Sequence, residues 1–404
     1  MGFLTALARI TLDMSVVTMI IMCLPGFPPY TTFDQFYLPP SPSWTGNLEA
    51  NEKLNLVDRL FENQLKGPES FAVKDGAIYT GLMSGVIIKI DPIALTFKPV
   101  AKIGEYCEEQ YEEHKCGRPL GMTFTKEGKL LVCDAVFGLY MLDLDKKVEE
   151  NRIRDNREIE KVDYEPLLTP ETIINGSQNV VFNSLVLAND GETVYLTVSS
   201  TRFPLRDSGF ELISDPSGRV LEYNLRTRET KVLVREINFA NGIEIDPHGE
   251  YFLFCESGRA KIHKYYLKGE KAGKHEVLVE NLPGLPDNIK INDNGKFYIG
   301  LISPRIPGKP HLLELIGPHN WVRKFLARLV SMVLLPFKTM NRIMPNSVTL
   351  KFEYWCGNLE PLAHLAPPYG LVIELDGETG EIMSSLHSTN GAVRFIAEAF
   401  VHDR

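Results

Sequence analysis

Five residues with oxygen-bearing side chains stand at or near the openings of short apolar runs: Glu69, Asn183, Asn241, Asp287 and Asn288. The runs are Gly67-Pro-Glu-Ser-Phe-Ala-Val73, Phe182-Asn-Ser-Leu-Val-Leu187, Phe239-Ala-Asn-Gly-Ile-Glu-Ile245 and Leu285-Pro-Asp-Asn-Ile-Lys-Ile291. Two carboxylates and three amide carbonyls, with no His or Cys, form a hard-oxygen set. Ca2+ takes about 6–8 such ligands at about 2.3–2.6 Å, whereas zinc prefers nitrogen and sulfur. Taken singly each residue has a plainer reading: the Asn of Phe-Ala-Asn-Gly as a turn former, Pro-Asp-Asn as a strand-entry cap. Their shared place in successive runs favours a common site. The polar openings are therefore expected to meet at one point.

For that to happen, the runs must be strands that converge. A turn residue, usually Gly, precedes a β-rich run at Gly76-Ala-Ile-Tyr-Thr80, Gly128-Lys-Leu-Leu-Val132, Gly191-Glu-Thr-Val-Tyr195, Gly249-Glu-Tyr-Phe-Leu253 and Gly295-Lys-Phe-Tyr-Ile299. A second alternating run follows each, as in Gly85-Val-Ile-Ile-Lys-Ile90 and Gly218-Arg-Val-Leu-Glu-Tyr223. Period-2 alternation between Gly turns predicts antiparallel strands. Units of three or four strands recurring at roughly 45 to 65 residues predict a β-propeller, in which the first strand of each blade lines the axis. The expected fold is thus all-β, a six-bladed β-propeller. Its sixth unit holds only Val393-Arg-Phe-Ile-Ala-Glu-Ala-Phe-Val401, read as an innermost strand, so the last blade is expected to be truncated.

The remaining chain divides around this body. Residues 1–24 include the uncharged run Met14-Ser-Val-Val-Thr-Met-Ile-Ile-Met-Cys-Leu24, which suits a signal-anchor crossing the membrane once, with a cleaved signal peptide as the alternative. Residues 25–53, rich in Pro, Ser and aromatics, read as a stalk or wrapping linker, and 54–404 as the propeller. An insertion at 311–345 carries Trp321, Phe325, Leu329 and Val333 at intervals of four among Arg323, Lys324, Arg328, Lys338 and Arg342. This predicts a basic amphipathic helix, which either caps the propeller or touches a membrane surface.

Net charge −9 and a pI near 5.6 argue against nucleic acid as a partner. Cys107 and Cys116 bracket a charged loop and could form a disulfide, while Asn175-Gly-Ser177 is an N-glycosylation acceptor; both fit an oxidising compartment. Cys133, Cys255 and Cys356 read as small hydrophobes in strands or core, and Cys23 lies in the apolar N-terminal run.

Longer motifs add a resemblance. Phe61-Glu-Asn-Gln-Leu-Lys-Gly-Pro-Glu-Ser70, Cys116-Gly-Arg-Pro-Leu-Gly121, Phe182-Asn183, Ala240-Asn-Gly242 and Leu282-Pro-Gly-Leu-Pro-Asp-Asn-Ile289 resemble the strictosidine synthase-like family of six-bladed propellers, a more distant relative of the paraoxonases. The resemblance runs from about Leu54 to Asp403. It implies a single-pass type II membrane glycoprotein, lumenal in the endoplasmic reticulum or at the cell surface, with arylesterase-like activity. By matching motif positions it also implies catalytic Ca2+ ligands at Glu69, Asn183, Asn241, Asp287 and Asn288 and a disulfide between Cys107 and Cys116.

Three departures temper it. Leu120 stands where paraoxonases carry a His, which removes that general base. Ser184 replaces the acidic residue that commonly follows the Asn. Glu398 lies one residue from the catalytic Glu of strictosidine synthases and is expected to face the opposite side of its strand. The alkaloid-forming condensation is therefore not expected. The expected function is a calcium-dependent hydrolase acting on a small ester or lactone, with Asp287 or Glu69 as proton acceptor. The alternative is a non-catalytic binding propeller with structural calcium, and a third possibility is a poorly folded truncated form. The sequence names no protein partner.

Overall fold

Short turns divide the chain into strands, and the turns use one recurrent device. Asp91, Asp190, Asn224 and Asp376 each accept backbone N–H bonds from the residues two and three further on, at 2.8–2.9 Å, closing hairpins as Asx turns. In the computed structural model, which describes residues 3–147 and 162–402, this produces twenty strands in five four-stranded antiparallel meanders.

An apolar helix, α1 (Phe3–Cys23), comes first. The first sheet follows as β1 (Phe71–Lys74), β2 (Ala77–Gly81), β3 (Val86–Asp91) and β4 (Thr96–Lys102). After α2 (Glu113–Cys116) come β5 (Pro119–Phe124), β6 (Leu130–Asp134), β7 (Gly138–Lys147) and β8 (Val162–Leu168). The third sheet is β9 (Val181–Leu187), β10 (Thr193–Ser200), β11 (Gly218–Asn224) and β12 (Thr230–Ile237), with α3 (Ser208–Ile213) between β10 and β11. The fourth is β13 (Ala240–Ile245), β14 (Tyr251–Glu256), β15 (Lys261–Tyr266) and β16 (His275–Val279). The fifth opens with β17 (Gly284–Ile291) and β18 (Phe297–Pro304). It continues through α4 (Leu312–Ile316), α5 (Asn320–Ile343) and α6 (Ser347–Gly357) to β19 (Gly370–Leu375) and β20 (Ile382–Ser388).

The first strands β1, β5, β9, β13 and β17 touch one another in chain order. That is the arrangement of a propeller, with the sheets stacked side by side around their inner strands. The core is accordingly a series of layers between neighbouring sheets. Ala72, Tyr79 and Ile87 of the first sheet meet Met122, Leu130 and Tyr140 of the second; Phe252, Phe254 and Tyr265 of the fourth meet Tyr195 and Val220 of the third. Each fully buried Leu, Ile or Phe contributes about 1.5–3 kcal/mol.

Because a meander alternates ends, the hairpins from first to second strand and from third to fourth lie at one end of every sheet. The connections from second to third strand, and from one sheet to the next, lie at the other. That second end carries α2, α3 and α4–α6, and the inner strands begin there. Gly85 shows how tightly this end is packed: its φ is +73°, and a Cβ on it would fall 1.8 Å from the Cys116 carbonyl oxygen. Cys116 is bonded to Cys107, with their Cα atoms 5.8 Å apart. Cys133 and Cys255 are buried as expected, but Cys356 is exposed on α6 and is not a core residue.

Val393–Val401 forms no strand, contrary to expectation. It lies between the fifth sheet and the first. Asn288 N donates to Ala397 O at 2.9 Å, while Phe71 N donates to the Glu398 carboxylate at 2.8 Å and Phe71 stacks on Phe400. Each ladder in the fold is internal to one meander, and no described strand pairs with this segment, so it is held by single backbone and side-chain contacts rather than as a strand.

The 25–53 segment wraps the body. Asn47 and Asn51 bond to backbone groups of β20, and Leu54 N donates to His387 O, which covers an outer sheet edge. Earlier in this segment, the guanidinium groups of Arg259 and Arg323 sit over the Phe36 ring, 3.5 and 4.7 Å from its centroid.

Candidate functional site

All five oxygen-donor residues lie at the end of the stack where the inner strands begin, and backbone irregularity aims three of the strands. The β13–β14 register shifts between Ala240 and Ile243, bracketing Asn241. The β17–β18 register shifts between Pro286 and Ile289, bracketing Asp287 and Asn288. In β9 the shift falls between Phe182 and Leu185, bracketing Asn183. A bulge turns residues that strict alternation would send to opposite faces, and bulges concentrate beside functional sites for that reason. Glycines then let the inner strands close up. A Cβ on Gly242 would lie 2.5 Å from Asn288 Cα, and one on Gly121 would lie 2.7 Å from Ser184 Cα. The Asn-Gly at 241–242 is therefore a close approach between strands rather than a hairpin turn.

Four of the five are joined directly or electrostatically. Asn241 Nδ2 donates to Asp287 Oδ1 at 2.6 Å and to Ser257 Oγ at 3.1 Å. Asn288 Nδ2 donates to the Glu69 carbonyl at 3.3 Å, linking the fifth sheet to the segment that leads into β1. Asn183 is placed by register on the neighbouring strand; no hydrogen bond ties it to the others among the described residues. Asn183, Asn241, Asp287 and Asn288 are all buried, and the Glu69 side chain is 17% exposed.

The electrostatics are strained toward negative charge. Burial pushes the Asp287 carboxyl well above its usual range and Glu69 repels it further, while the Asn241 amide pulls the other way. Burial likewise raises Glu69, opposed by Arg118, whose Nη2 lies 3.4 Å from Glu69 Oε2 and whose Nη1 donates to Gly67 O at 2.6 Å. The carbonyl oxygens of Asn183 and Asn241 are buried with no hydrogen-bond partner. An orphaned buried carbonyl costs about 1–3 kcal/mol. The unpartnered Asn241 oxygen, on a residue bonded to an Asp287 carboxyl that Glu69 repels, fits a hard cation, and the unpartnered Asn183 oxygen lies on the neighbouring inner strand. No three His, Cys, Asp or Glu side chains converge on a metal geometry among the described residues, so any such site depends on the amide oxygens.

Two residues outside the expected five belong to this place. Arg118 stands in the Cys116-Gly-Arg-Pro-Leu-Gly121 run, and its type and position were the signal. Glu398 was expected to face away, yet it is buried near Glu69 and Asp287; burial lifts its carboxyl to about 7 against the pull of Lys290 and the Phe71 N–H. The alternation argument failed because the segment is not a strand. Lys290 is held protonated despite burial by Glu398 and Glu244, the latter 3.6 Å away. Leu120 packs with Ala135 and Val181 in an apolar cluster, and Ser184 is buried.

The helical connection reaches the same end. Tyr354 of α6 donates to Gln110 and to Glu360, and Glu360 in turn acts on Glu69 and on buried Glu113, whose carboxyl burial lifts to about 7. Burial lifts Asp134 to about 6. The sequon residue Asn175 is exposed in a turn.

Two family profiles match the chain: strictosidine synthase-like, N-terminal, over residues 46–90, and strictosidine synthase over 183–270. The adipocyte plasma membrane-associated protein of Gallus gallus is 30% identical over 404 residues, covering 99% of this chain and 85% of its own length. The chain belongs to the adipocyte plasma membrane-associated protein family. Within that family, the Hemomucin form from Drosophila melanogaster is 35% identical over 390 residues, 96% of this chain. This chain spans 65% of that longer relative. Among solved structures, a gluconolactonase from Xanthomonas campestris aligns over 59% of this chain and 71% of its own at 13% identity and a TM-score of 0.43.

Proposed function

We propose that the chain is a membrane-anchored, calcium-dependent hydrolase of small aryl esters or lactones. The observation that carries this reading is the buried, unpartnered carbonyl oxygen of Asn241, a residue bonded to an Asp287 carboxyl that Glu69 repels, together with the unpartnered Asn183 oxygen on the adjacent inner strand. Glu69, Asn183, Asn241, Asp287 and Asn288 would hold Ca2+, which when bound supplies Lewis-acid polarisation of a carbonyl and stabilises its developing oxyanion. The protein's own groups do the rest. Asp287 and Glu69, once ionised as ligands, are poor proton acceptors. Glu398 is buried nearby, with a carboxyl that burial raises to about 7 in the ion-free protein, and is the candidate general base for water. Arg118 holds Glu69 in place through its paired contacts with Glu69 and Gly67.

In this proposal the C-terminal segment occupies the place of a sixth blade between β17 and β1, and α1 anchors the protein as a type II membrane protein. The body would be lumenal or extracellular, with a glycan on Asn175 detectable as a gel shift on endoglycosidase treatment and absent from Asn175→Gln. The absence of a His at Leu120 favours a second reading, a binding propeller in which calcium is structural. Hydrolysis of phenyl acetate and a lactone panel, with and without chelator, separates the two. Turnover that falls with chelator and in Asn241→Ala supports the hydrolase; no turnover in protein that still retains calcium supports the binding module.

A further inference from the structure

The helical connection turns its most apolar face away from the sheets. In α5 the line against the body is Arg323, Ala327, Ser331 and Leu334, all buried. At about 100° per residue, Trp321, Met332, Val333, Met340 and Ile343 fall on the arc roughly opposite. They are 41–81% exposed, and the apolar surface continues through Met344, Val348 and Trp355, which are 69%, 74% and 52% exposed. Exposed apolar side chains gathered along one side of a helix in this way mark an interaction surface.

The structure also says what lies beside it. Helix α1 contains a 19-residue stretch, Thr5–Cys23, long and apolar enough to cross a membrane. Its C-terminal end rests on α5: Arg328 Nη1 donates to the carbonyls of Ile21 and Met22 at 2.9 Å and of Leu24 at 3.0 Å. Those are carbonyls that the end of a helix leaves without an intrahelical partner, so α5 caps the membrane-crossing helix. Charge agrees. Helix α5 contains no acidic residue, and Lys324, Arg342 and Lys351 border the apolar face. Trp321 and Trp355 have the amphipathic rings that favour the headgroup layer.

We infer that the outward face of α5 and the α5–α6 turn seat in the interfacial layer of the leaflet from which α1 emerges, with acidic phospholipid headgroups against Lys324, Arg342 and Lys351. The protein is then held at two points, a crossing helix and a surface helix, with the end carrying the inner-strand openings turned toward the bilayer. This orientation does not depend on whether the site hydrolyses esters.

The test uses the full chain reconstituted in phosphatidylcholine–phosphatidylserine vesicles containing brominated lipid. The chain has three Trp residues, and Trp44 packs on Tyr369 and His387 inside the wrapping segment. A Trp44→Phe variant isolates the two on the proposed face. Its emission should be blue-shifted relative to protein in lipid-free detergent-exchanged scaffold and quenched by bromines near the headgroups. In the converse variant, Trp321→Phe with Trp355→Phe, the remaining Trp44 emission should be unquenched. Replacing Lys324, Arg342 and Lys351 by Glu should weaken quenching while α1 keeps the protein in the vesicles. Unquenched emission that aqueous acrylamide reaches freely would overturn the inference. So would emission shielded from both quenchers, which would assign the face to a second copy of the chain.

Discussion

Asp287→Asn separates a cation ligand from a structural hydrogen-bond acceptor. Asn at this position can still accept from Asn241 Nδ2, as Asp287 Oδ1 does at 2.6 Å, so the local hydrogen bond survives. What the substitution removes is the charge that repels Glu69 and binds the ion. Losing an outer-shell partner of a metal site already costs about 10–100-fold in affinity, so losing a charged ligand should cost ~100-fold or more. With calcium at about 100 times the wild-type dissociation constant, linkage stabilises the wild type by about 2.7 kcal/mol and leaves the variant only ~0.4 kcal/mol. At an unfolding entropy of about 2.1 cal/mol/K per residue, those values correspond, over 404 residues, to a rise in melting temperature of about 3 °C for wild type and under ~1 °C for the variant. In chelator the variant should melt at or above wild type, because the buried repulsion is gone. Scanning calorimetry of both proteins in calcium and in chelator measures all four values. A variant that keeps the full calcium response, or that melts well below wild type in chelator, would refute the ligand assignment.

Other consequences are as direct. Burial raises Glu113 and Glu398 to about 7 and Asp134 to about 6, so the ion-free folded state binds more protons than the unfolded chain between about pH 4 and about pH 7. Their contribution is therefore largest at low pH and is lost as pH rises through those values. Chelated protein should melt higher at about pH 5.5 than at about pH 8, and a flat or opposite trend would contradict the buried-acid picture. Glu398→Gln should lower ester hydrolysis by about 10²–10⁴-fold while leaving calcium content unchanged; loss of the ion would reassign Glu398 to the binding shell. Replacing Cys107 and Cys116 together by Ser reopens a short loop ahead of Arg118 and should lower stability by about 2–3 kcal/mol in denaturant titrations. No measurable change would mean the loop is held by its other contacts.

Much of this architecture was legible in the chain. Gly turns and period-2 runs marked the strands, and Glu69, Asn183, Asn241, Asp287 and Asn288 stood out because chemistry of one kind recurred at equivalent openings. Their aim was not legible, because bulges decide it and a bulge has no reliable residue signature. Asp287 and Asn288 are adjacent, so alternation alone would have sent one of them away from the axis. Glu398 escapes the alternation argument for a related reason: its segment is not a strand. Arg118 stands inside the Cys116–Gly121 motif, yet its role depends on Gly67 and Glu69, which the fold brings beside it from the segment ahead of β1. The exposed face of α5 was half legible: the apolar spacing predicted an amphipathic helix, but not that the line turned inward would be Arg323, Ala327, Ser331 and Leu334 rather than the one through Trp321 and Val333.

The central claim is that five residues from four inner-strand openings hold one calcium ion. Metal content of the purified full chain in detergent, measured by plasma emission after dialysis against calcium-free buffer and again after calcium is restored, tests it directly. The account predicts a single calcium per chain for wild type and none retained by Asn241→Ala or Asp287→Asn. Equal calcium in all three proteins, or none in wild type at saturating calcium, would contradict it.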